Sequence, residues 1–475
     1  MDRFVNFLND LIWSPALIVL CLGAGLYFSV RTRFLQVRHV RDMFKLLFRS
    51  EASARGISSY QAFALAISGR VGIGNIAGVA TAIAMGGPGA IFWMWAIAFL
   101  GAGSAFVEAT LAQIYKEEIN GQYRGGPAYY IERGLKVKWY AVVFAVSTTV
   151  ATGFFMPGVQ SNAIGEAMRN AFGLPLLASA MIVAGLIALI IFGGVKRISR
   201  AAEAFVPIMA VGYVGMAVVV VALHWREVPA IFALIFRSAF GADAAFGGVV
   251  GLAISWGVKR GIYSNEAGQG STPMAAAAAE VKHPAVQGLV QAFSVYVDTW
   301  LVCSSTAFMV LLTGKYNVVN PAGGFLREGL PGETAGPGYT QAAVDTVVSG
   351  FGSAFVAVAL FFFAFTTLMA YYYYAETNLA YLRRSKSSPK LFLALRLVFV
   401  GVTFYGTLRH ADVAWAMGDV GVGLMAWLNL IAILLLAKPA IACLRDYEAQ
   451  RRAGVAEPSY IAKTAGVDNA ELWRD

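Results

Sequence analysis

The chain has 475 residues, of which 58% are hydrophobic and 13% charged, with mean hydropathy +0.63 and a formal charge of +10. So much apolar surface excludes a soluble globular domain, which needs a far larger charged shell. An outer-membrane barrel is excluded too, because the apolar/polar alternation over about 10 residues that marks its strands is absent.

Apolar runs long enough to cross a bilayer, about 18 residues or more, recur along the whole chain. They predict spans at 12–30, 60–83, 89–115, 139–171, 175–194, 201–223, 244–263, 285–313, 342–381, 391–407 and 413–437. The expected fold is an all-α polytopic membrane protein with about eleven transmembrane helices. The first run lacks a basic leading region and a small-residue cleavage site, so it reads as a retained span and not as a signal peptide. Of the 37 Lys and Arg, 28 fall in the segments 31–55, 116–138, 196–200, 259–282, 383–390 and 438–474, which alternating spans place on one face. Seven lie opposite (Arg3, Arg169, Arg226, Arg237, Lys315, Arg327 and Arg409), and Arg70 and Arg396 fall within spans. That asymmetry predicts a plasma-membrane protein with its N-terminus outside and its C-terminus cytoplasmic. The basic face is a topology signal and a contact for lipid headgroups, so nucleic acid is not an expected partner.

With the first span set aside, ten remain, five in each half, and the second half therefore enters from the opposite side. This is the arithmetic of an inverted repeat. The expected divisions are 1–59 (first span and basic loop), 60–223 and 244–437 (the two repeats), and 438–475 (a cytoplasmic tail). The tail reads as a short surface helix followed by flexible chain. "NPAGGFLREGLPGETAGPGYT" (320–340) reads as an external loop. Cys21, Cys303 and Cys443 lack metal-type spacing and read as small buried hydrophobes.

The first span of each half is unusual. "SGRVGIGNIAGVATA" (68–82) places Gly69, Gly72 and Gly74 around Arg70 and Asn75, where a bilayer favours leucine. Its counterpart is "GGVVGLAISWGVKRGIYSNEAGQGS" (247–271). Paired Gly-interrupted spans point to a midplane binding site. Unwound backbone there offers carbonyls to a dehydrated cation and N–H groups to a carboxylate. A close-packing surface of small residues competes with that reading, but a mid-span charge favours function.

In "FFFAFTTLMAYYYYAETN" (361–378), Thr366 and Thr367 either give oxygens to an ion or back-bond to their own helix. Tyr371 lies one turn beyond Thr367 on the same face, deeper than an interfacial aromatic belt. In "GFFMPGVQSN" (153–162), Pro157 kinks the span and places Gln160 and Asn162 beside the distortion, facing either substrate or a neighbouring helix. Glu108, Glu203, Asp298 and Asp419 are further intramembrane acids whose roles stay open.

The strings "VGIGNIAGVATAIAMGGPGAIFWMW" (71–95), "RGGPAYYIERGL" (124–135), "GVKRGIYSNEAGQGS" (257–271) and "FAFTTLMAYYYYAE" (363–376) together resemble the alanine/glycine:cation symporters, also called sodium:alanine symporters. The resemblance runs from about residue 12 to 440. It implies a leucine-transporter-type fold with a 5+5 inverted-repeat core and two broken helices. It also implies Na+-coupled uptake of small neutral amino acids (alanine, glycine) by alternating access, with no cofactor beyond the coupling ion. By that resemblance the Ser68 and Val71 carbonyls with Thr366 and Thr367 form the Na+ site. Ile73 and Gly74 hold the substrate carboxylate, and Asn75 serves a second cation or braces the break. Gln160 lies near the substrate, Ser255 to Val258 meet its amine or side chain, and Thr367 and Tyr371 line the pocket.

Three departures stand out: Ile73 replaces a common threonine, Pro157 a polar residue, and Tyr371 a tryptophan that limits substrate size. They predict tolerance of a slightly larger or more polar substrate such as serine. The runner-up reading is an H+-coupled amino-acid permease working through Glu108, Asp298 or Glu203. An intramembrane enzyme is disfavoured, because HExxH and GxSxG are absent and His39, His224, His283 and His410 sit in or near loops. A channel would need an open polar path and a sensor a soluble output domain. The expected assembly is a monomer or weak oligomer.

Overall fold

A computed structural model describes residues 2–49, 52–243, 245–384, 388–408 and 411–474. Lys386, Arg409, His410 and the expected repeat boundary at 244 lie outside them. The first membrane helix is α1 (Phe7–Arg31), and two short helices, Leu35–Arg38 and Val40–Leu46, follow it before the chain reaches Ser58. There a capping box starts α2 (Ser59–Arg70): the Ser58 hydroxyl accepts from the Gln61 amide, and the Gln61 side chain accepts from the Ser58 N–H. The chain breaks at Val71–Ile73 and resumes as α3 (Gly74–Gly86), bent 52° from α2.

There follow α4 (Gly89–Ile114), α5 (Lys138–Phe172), α6 (Leu176–Ile191), α7 (Gly194–Leu223) and α8 (Val228–Ala239). A second break separates α9 (Val250–Asn265) from the short α10 (Pro273–Ala277). The remaining helices are α11 (Pro284–Thr313), α12 (Gly352–Leu382), α13 (Pro389–Leu408), α14 (Trp415–Leu435) and α15 (Ala437–Arg452). Two small hairpins, Glu117–Ile119 with Gln122–Arg124 and Asn317–Val319 with Phe325–Glu328, decorate opposite loops.

Among the described residues, eight helices are long and apolar enough to cross a membrane, and nine if the bent pair α2/α3 is one span. The expected eleven included α6 and α9, each only 16 residues long. The run expected as one span at 342–381 begins at Gly352, behind a separate helix over Pro337–Asp345. The span expected at 201–223 begins earlier, at Gly194. Stretches of π-helix interrupt α5 at Ala151–Phe155 and α11 at Tyr296–Cys303, the latter packed on the start of α3. The turn in α5 ends just before Pro157, so the distortion falls where the missing N–H leaves a gap.

The second break lies at Glu266–Thr272, the end of the unusual stretch 247–271, while Ser255–Val258 belong to unbroken α9. A Cβ on Gly257 would stand 2.5 Å from the Ala90 carbonyl, so that stretch of α9 lies flush on α4. Within the break Glu266, Gly268 and Gly270 have φ of 53°, 81° and 83°. A Cβ at Gly268 or Gly270 would also enter the side chains of Leu430 or Pro127, so only glycine fits both conformation and space. Lys259 and Arg260, counted above among the basic loops, lie buried on α9 and pair with Asp419 at 2.8 and 3.1 Å.

The tail differs from the flexible chain expected of it. The Tyr460 N–H donates to the Lys282 carbonyl, and Trp473 Nε1 donates to the Gln113 carbonyl at 2.8 Å. Both rings are buried, and Tyr460 packs on His283 and on Trp473. His283, immediately before α11, accepts from the Ala285 N–H through Nδ1 and faces Asp446 of α15 through Nε2 at 3.1 Å. Composition did not reveal the docking because the anchors are isolated aromatics in a charged stretch.

Burial pushes the His283 imidazole down to about 4, against about 6.5 when free. A depressed imidazole favours the docked form while neutral, so docking weakens as pH falls from about 6.5 towards 4. Deuterium uptake over 458–474 is expected to rise across that window in the wild type. In His283→Gln it is expected to stay flat, and identical profiles would contradict the assignment.

Candidate functional site

The two breaks cross in the middle of the helix bundle. A Cβ on Gly74 would stand 3.3 Å from the Ser264 Cα, and Arg70 of α2 donates to Thr272 Oγ1 of the second break at 3.0 Å. Backbone freed inside a membrane must find partners, and here the partners are side chains. The Gly72 N–H donates to Asn75 Oδ1 at 2.9 Å, and the Ile73 N–H to Gln160 Oε1 at 3.2 Å. An amide oxygen from α5 therefore occupies the acceptor position that a carboxylate could take. Tyr371 is buried on α12, with its hydroxyl near the Gln160 side chain.

On the α2 side of the break, the Thr367 hydroxyl lies 2.9 Å from the Ser68 carbonyl and 3.4 Å from that of Val71. It also lies 2.9 Å from the Phe363 carbonyl of its own helix. Gly72 makes the approach possible, since a Cβ there would sit 2.5 Å from Thr367 Oγ1. Thr366 is not brought to those carbonyls. One residue along a helix turns the side chain by about 100°, so its hydroxyl donates to Phe363 beside the Met209 sulfur.

Asn75 braces the break. Its Nδ2 donates to Asp298 Oδ1 at 2.7 Å, and its carbonyl accepts from Thr306 at 2.6 Å. Asp298 also accepts from Ser264 and Thr299. Glu108 is used structurally, accepting from the Gly268 N–H and from Asn429. Glu203 sits away from the crossing, where it accepts from Gln61 near the start of α2. Gln160 faces the break, while Asn162 lines the vestibule described next.

Above Ile73 a vestibule of about 520 Å³ opens, lined by Thr81, Asn162, Arg260, Trp415 and the chain from Glu333 into the first turns of the helix Pro337–Asp345. The Arg260 guanidinium grips Asp419 through both terminal nitrogens and lies 5.2–5.6 Å from the rings of Trp256, Tyr263 and Trp415. Ser255 and Val258 do not line this cavity. Tyr263, Ser264 and Arg260, which the residue reading passed over, are the α9 groups at the site. The helical spacing back from "NEAGQGS" was the signal that could have found them.

A helical bundle built around two crossed, broken membrane helices, with a polar cavity ending on them, is the architecture of a secondary transporter. Residues 1–462 match the model of the sodium:alanine symporter family, and the chain belongs to that family. It is 58% identical over 473 residues to YrbD of Bacillus subtilis strain 168, covering 100% of this chain and 98% of that one. It is 51% identical to a sodium/proton-dependent alanine carrier protein of Bacillus sp. strain PS3, over 91% of this chain and 97% of the relative. The sodium/alanine symporter AgcS of Methanococcus maripaludis is 38% identical over 91% of this chain and 94% of its own.

Among solved structures, a manganese transporter of Eremococcus coleocola superposes with TM-score 0.54 at 14% identity, over 81% of this chain and 79% of that one. That likeness concerns the fold, which is of the leucine-transporter type. The protein is thus an integral plasma-membrane transporter and not an enzyme.

The geometry separates the adjacent threonines. Thr367→Ala is expected to raise the Na+ concentration for half-maximal uptake about tenfold, the value of one oxygen contact to a charged group. Thr366→Ala should change it by less than about twofold. Equal effects would show that both hydroxyls act alike.

Proposed function

We propose that the protein couples Na+ entry to uptake of small neutral amino acids, alanine and glycine first, by alternating access around the crossed breaks. The observation that carries this reading is the division of labour at Val71–Gly74. Carbonyls of Ser68 and Val71 face Thr367 Oγ1 before the break, and the Ile73 N–H is held by a neutral amide oxygen after it. Neutral oxygens suit a dehydrated monovalent cation. Helix-start N–H groups suit a carboxylate, with the α3 dipole assisting.

In this reading Na+ takes Ser68, Val71 and Thr367, and Thr366 joins only if its hydroxyl leaves Phe363. The substrate carboxylate displaces Gln160 from Ile73 and extends to Gly74. Asn75, with Asp298 and Ser264, braces the break or serves a second ion. Arg260 and Asp419 close the vestibule. Ser255 and Val258 support α9 from its packed side. The repeats run over 60–223 and 244–437, and the N-terminus faces outward, with the tail docked on the cytoplasmic side. The protein works as a monomer or weak oligomer in contact with lipid.

Tyr371, near Gln160, adds a hydroxyl where the family commonly has tryptophan, which favours a polar side chain as small as serine's. Reconstituted uptake of labelled alanine is expected to need an inward Na+ gradient, to fail in choline at fixed pH, and to be inhibited by unlabelled serine. Uptake that persists in choline and follows an imposed pH gradient would overturn Na+ coupling. Competition by glycine and alanine alone would overturn the role given to Tyr371.

A further inference from the structure

Four charged side chains meet where the breaks cross: Arg70, Glu108, Glu266 and Asp298, all buried. Two are satisfied by neutral groups, and Arg70 through its terminal nitrogens, its Nε lacking a well-formed partner. Asp298 accepts from Asn75, Ser264 and Thr299, and Glu108 from Gly268 and Asn429. Arg70 donates to the Gln291 carbonyl, the Ser294 hydroxyl and Thr272 Oγ1. Glu266, at the start of the second break, is different.

Neither of its carboxylate oxygens accepts a well-formed hydrogen bond; the Ser271 hydroxyl only approaches it. The Tyr374 hydroxyl, both amide atoms of Gln269 and the Ser271 hydroxyl are likewise buried without well-formed partners. Gly69 leaves the space in which Glu266 and Tyr374 meet: a Cβ there would stand 3.0 Å from Glu266 Oε2 and 2.5 Å from the Tyr374 hydroxyl. Three carboxylates face one guanidinium, and a bare carboxylate in a medium of low dielectric is costly unless a cation or a proton accompanies it.

We propose that Glu266 is a second cation site, which takes a monovalent cation, H+ or Na+, separate from the Ser68–Val71–Thr367 position. Oxygens of Gln269, Ser271 and Tyr374 complete it. The charged and titratable groups around it are Arg70 from α2, Glu108 from α4, Asp298 from α11, Tyr371 and Tyr374 from α12, and Tyr263 from its own helix. An ion here would sit in the second break against Gly69, in the last turn of α2 before the first break, so its arrival would couple the second half to the first. The inference rests on the symport reading above.

The test is the charge moved per alanine, read from reversal potentials of proteoliposomes containing the full-length protein. Wild type should move two positive charges per alanine, since the zwitterion adds none. Glu266→Gln should move one while keeping Na+-dependent uptake, and Glu266→Asp should move two. Varying Na+ at fixed pH, and pH at fixed Na+, tells which ion is the second. An unchanged ratio in Glu266→Gln would overturn the proposal. So would a loss of alanine affinity at constant ratio, which would make the occupant the substrate ammonium.

Absence of Na+ dependence in the wild type would instead sink the symport reading. Should Glu266→Gln bind but not transport, counting bound 22Na+ and protons taken up on the folded, detergent-purified protein decides. One cation fewer than wild type supports the site, and an equal count overturns it.

Discussion

A helix broken inside a bilayer must satisfy the backbone groups it frees, and the rest of this structure follows from how Val71–Ile73 does so. Side chains from three places meet freed groups, Gln160 from α5, Thr367 from α12 and Asn75 from its own turn, and Asp298 from α11 holds Asn75 from behind. The break is therefore a junction of four helices. A change of partner on any one of its groups is felt by all of them.

The junction is rigid on one side and exchangeable on the other. Asn75, Asp298, Ser264 and Thr306 form a closed hydrogen-bond network with no free acceptor between them, suited to hold α3 against α9 and α11. Gln160 and Thr367 are different, because both make contacts that an incoming carboxylate or cation could replace one for one. Substrate binding would then exchange hydrogen bonds at nearly constant number, which keeps binding reversible. The π-turns in α5 and α11 fit the same pattern, since each lets a helix carry its site residues past a local misfit.

Much of this was legible in the sequence. Composition and run length gave the membrane class, and the glycines around Arg70 and Asn75 marked the first break. The stretch 247–271 marked the second break as well, but the chain breaks only at its end, in "NEAGQGS", whose polar letters look like a loop, and Ser255–Val258, which the resemblance set at the substrate, stay helical. Hydropathy cannot tell a polar loop at the surface from unwound chain in the core. The same ambiguity put Lys259 and Arg260 in a loop, although their charges are answered by Asp419, some 160 residues away in sequence. Thr366 and Thr367 were equivalent as letters, and only the helix phase divided them.

The central claim is that Gln160 Oε1 and Thr367 Oγ1 hold the places of the substrate carboxylate and the coupling ion. Cryo-EM density of the protein with saturating alanine and Na+ tests it most directly. The account predicts a carboxylate on the Ile73 and Gly74 amides with Gln160 displaced, and an ion among Ser68 O, Val71 O and Thr367 Oγ1. Alanine bound elsewhere, with Gln160 still on Ile73, would contradict it.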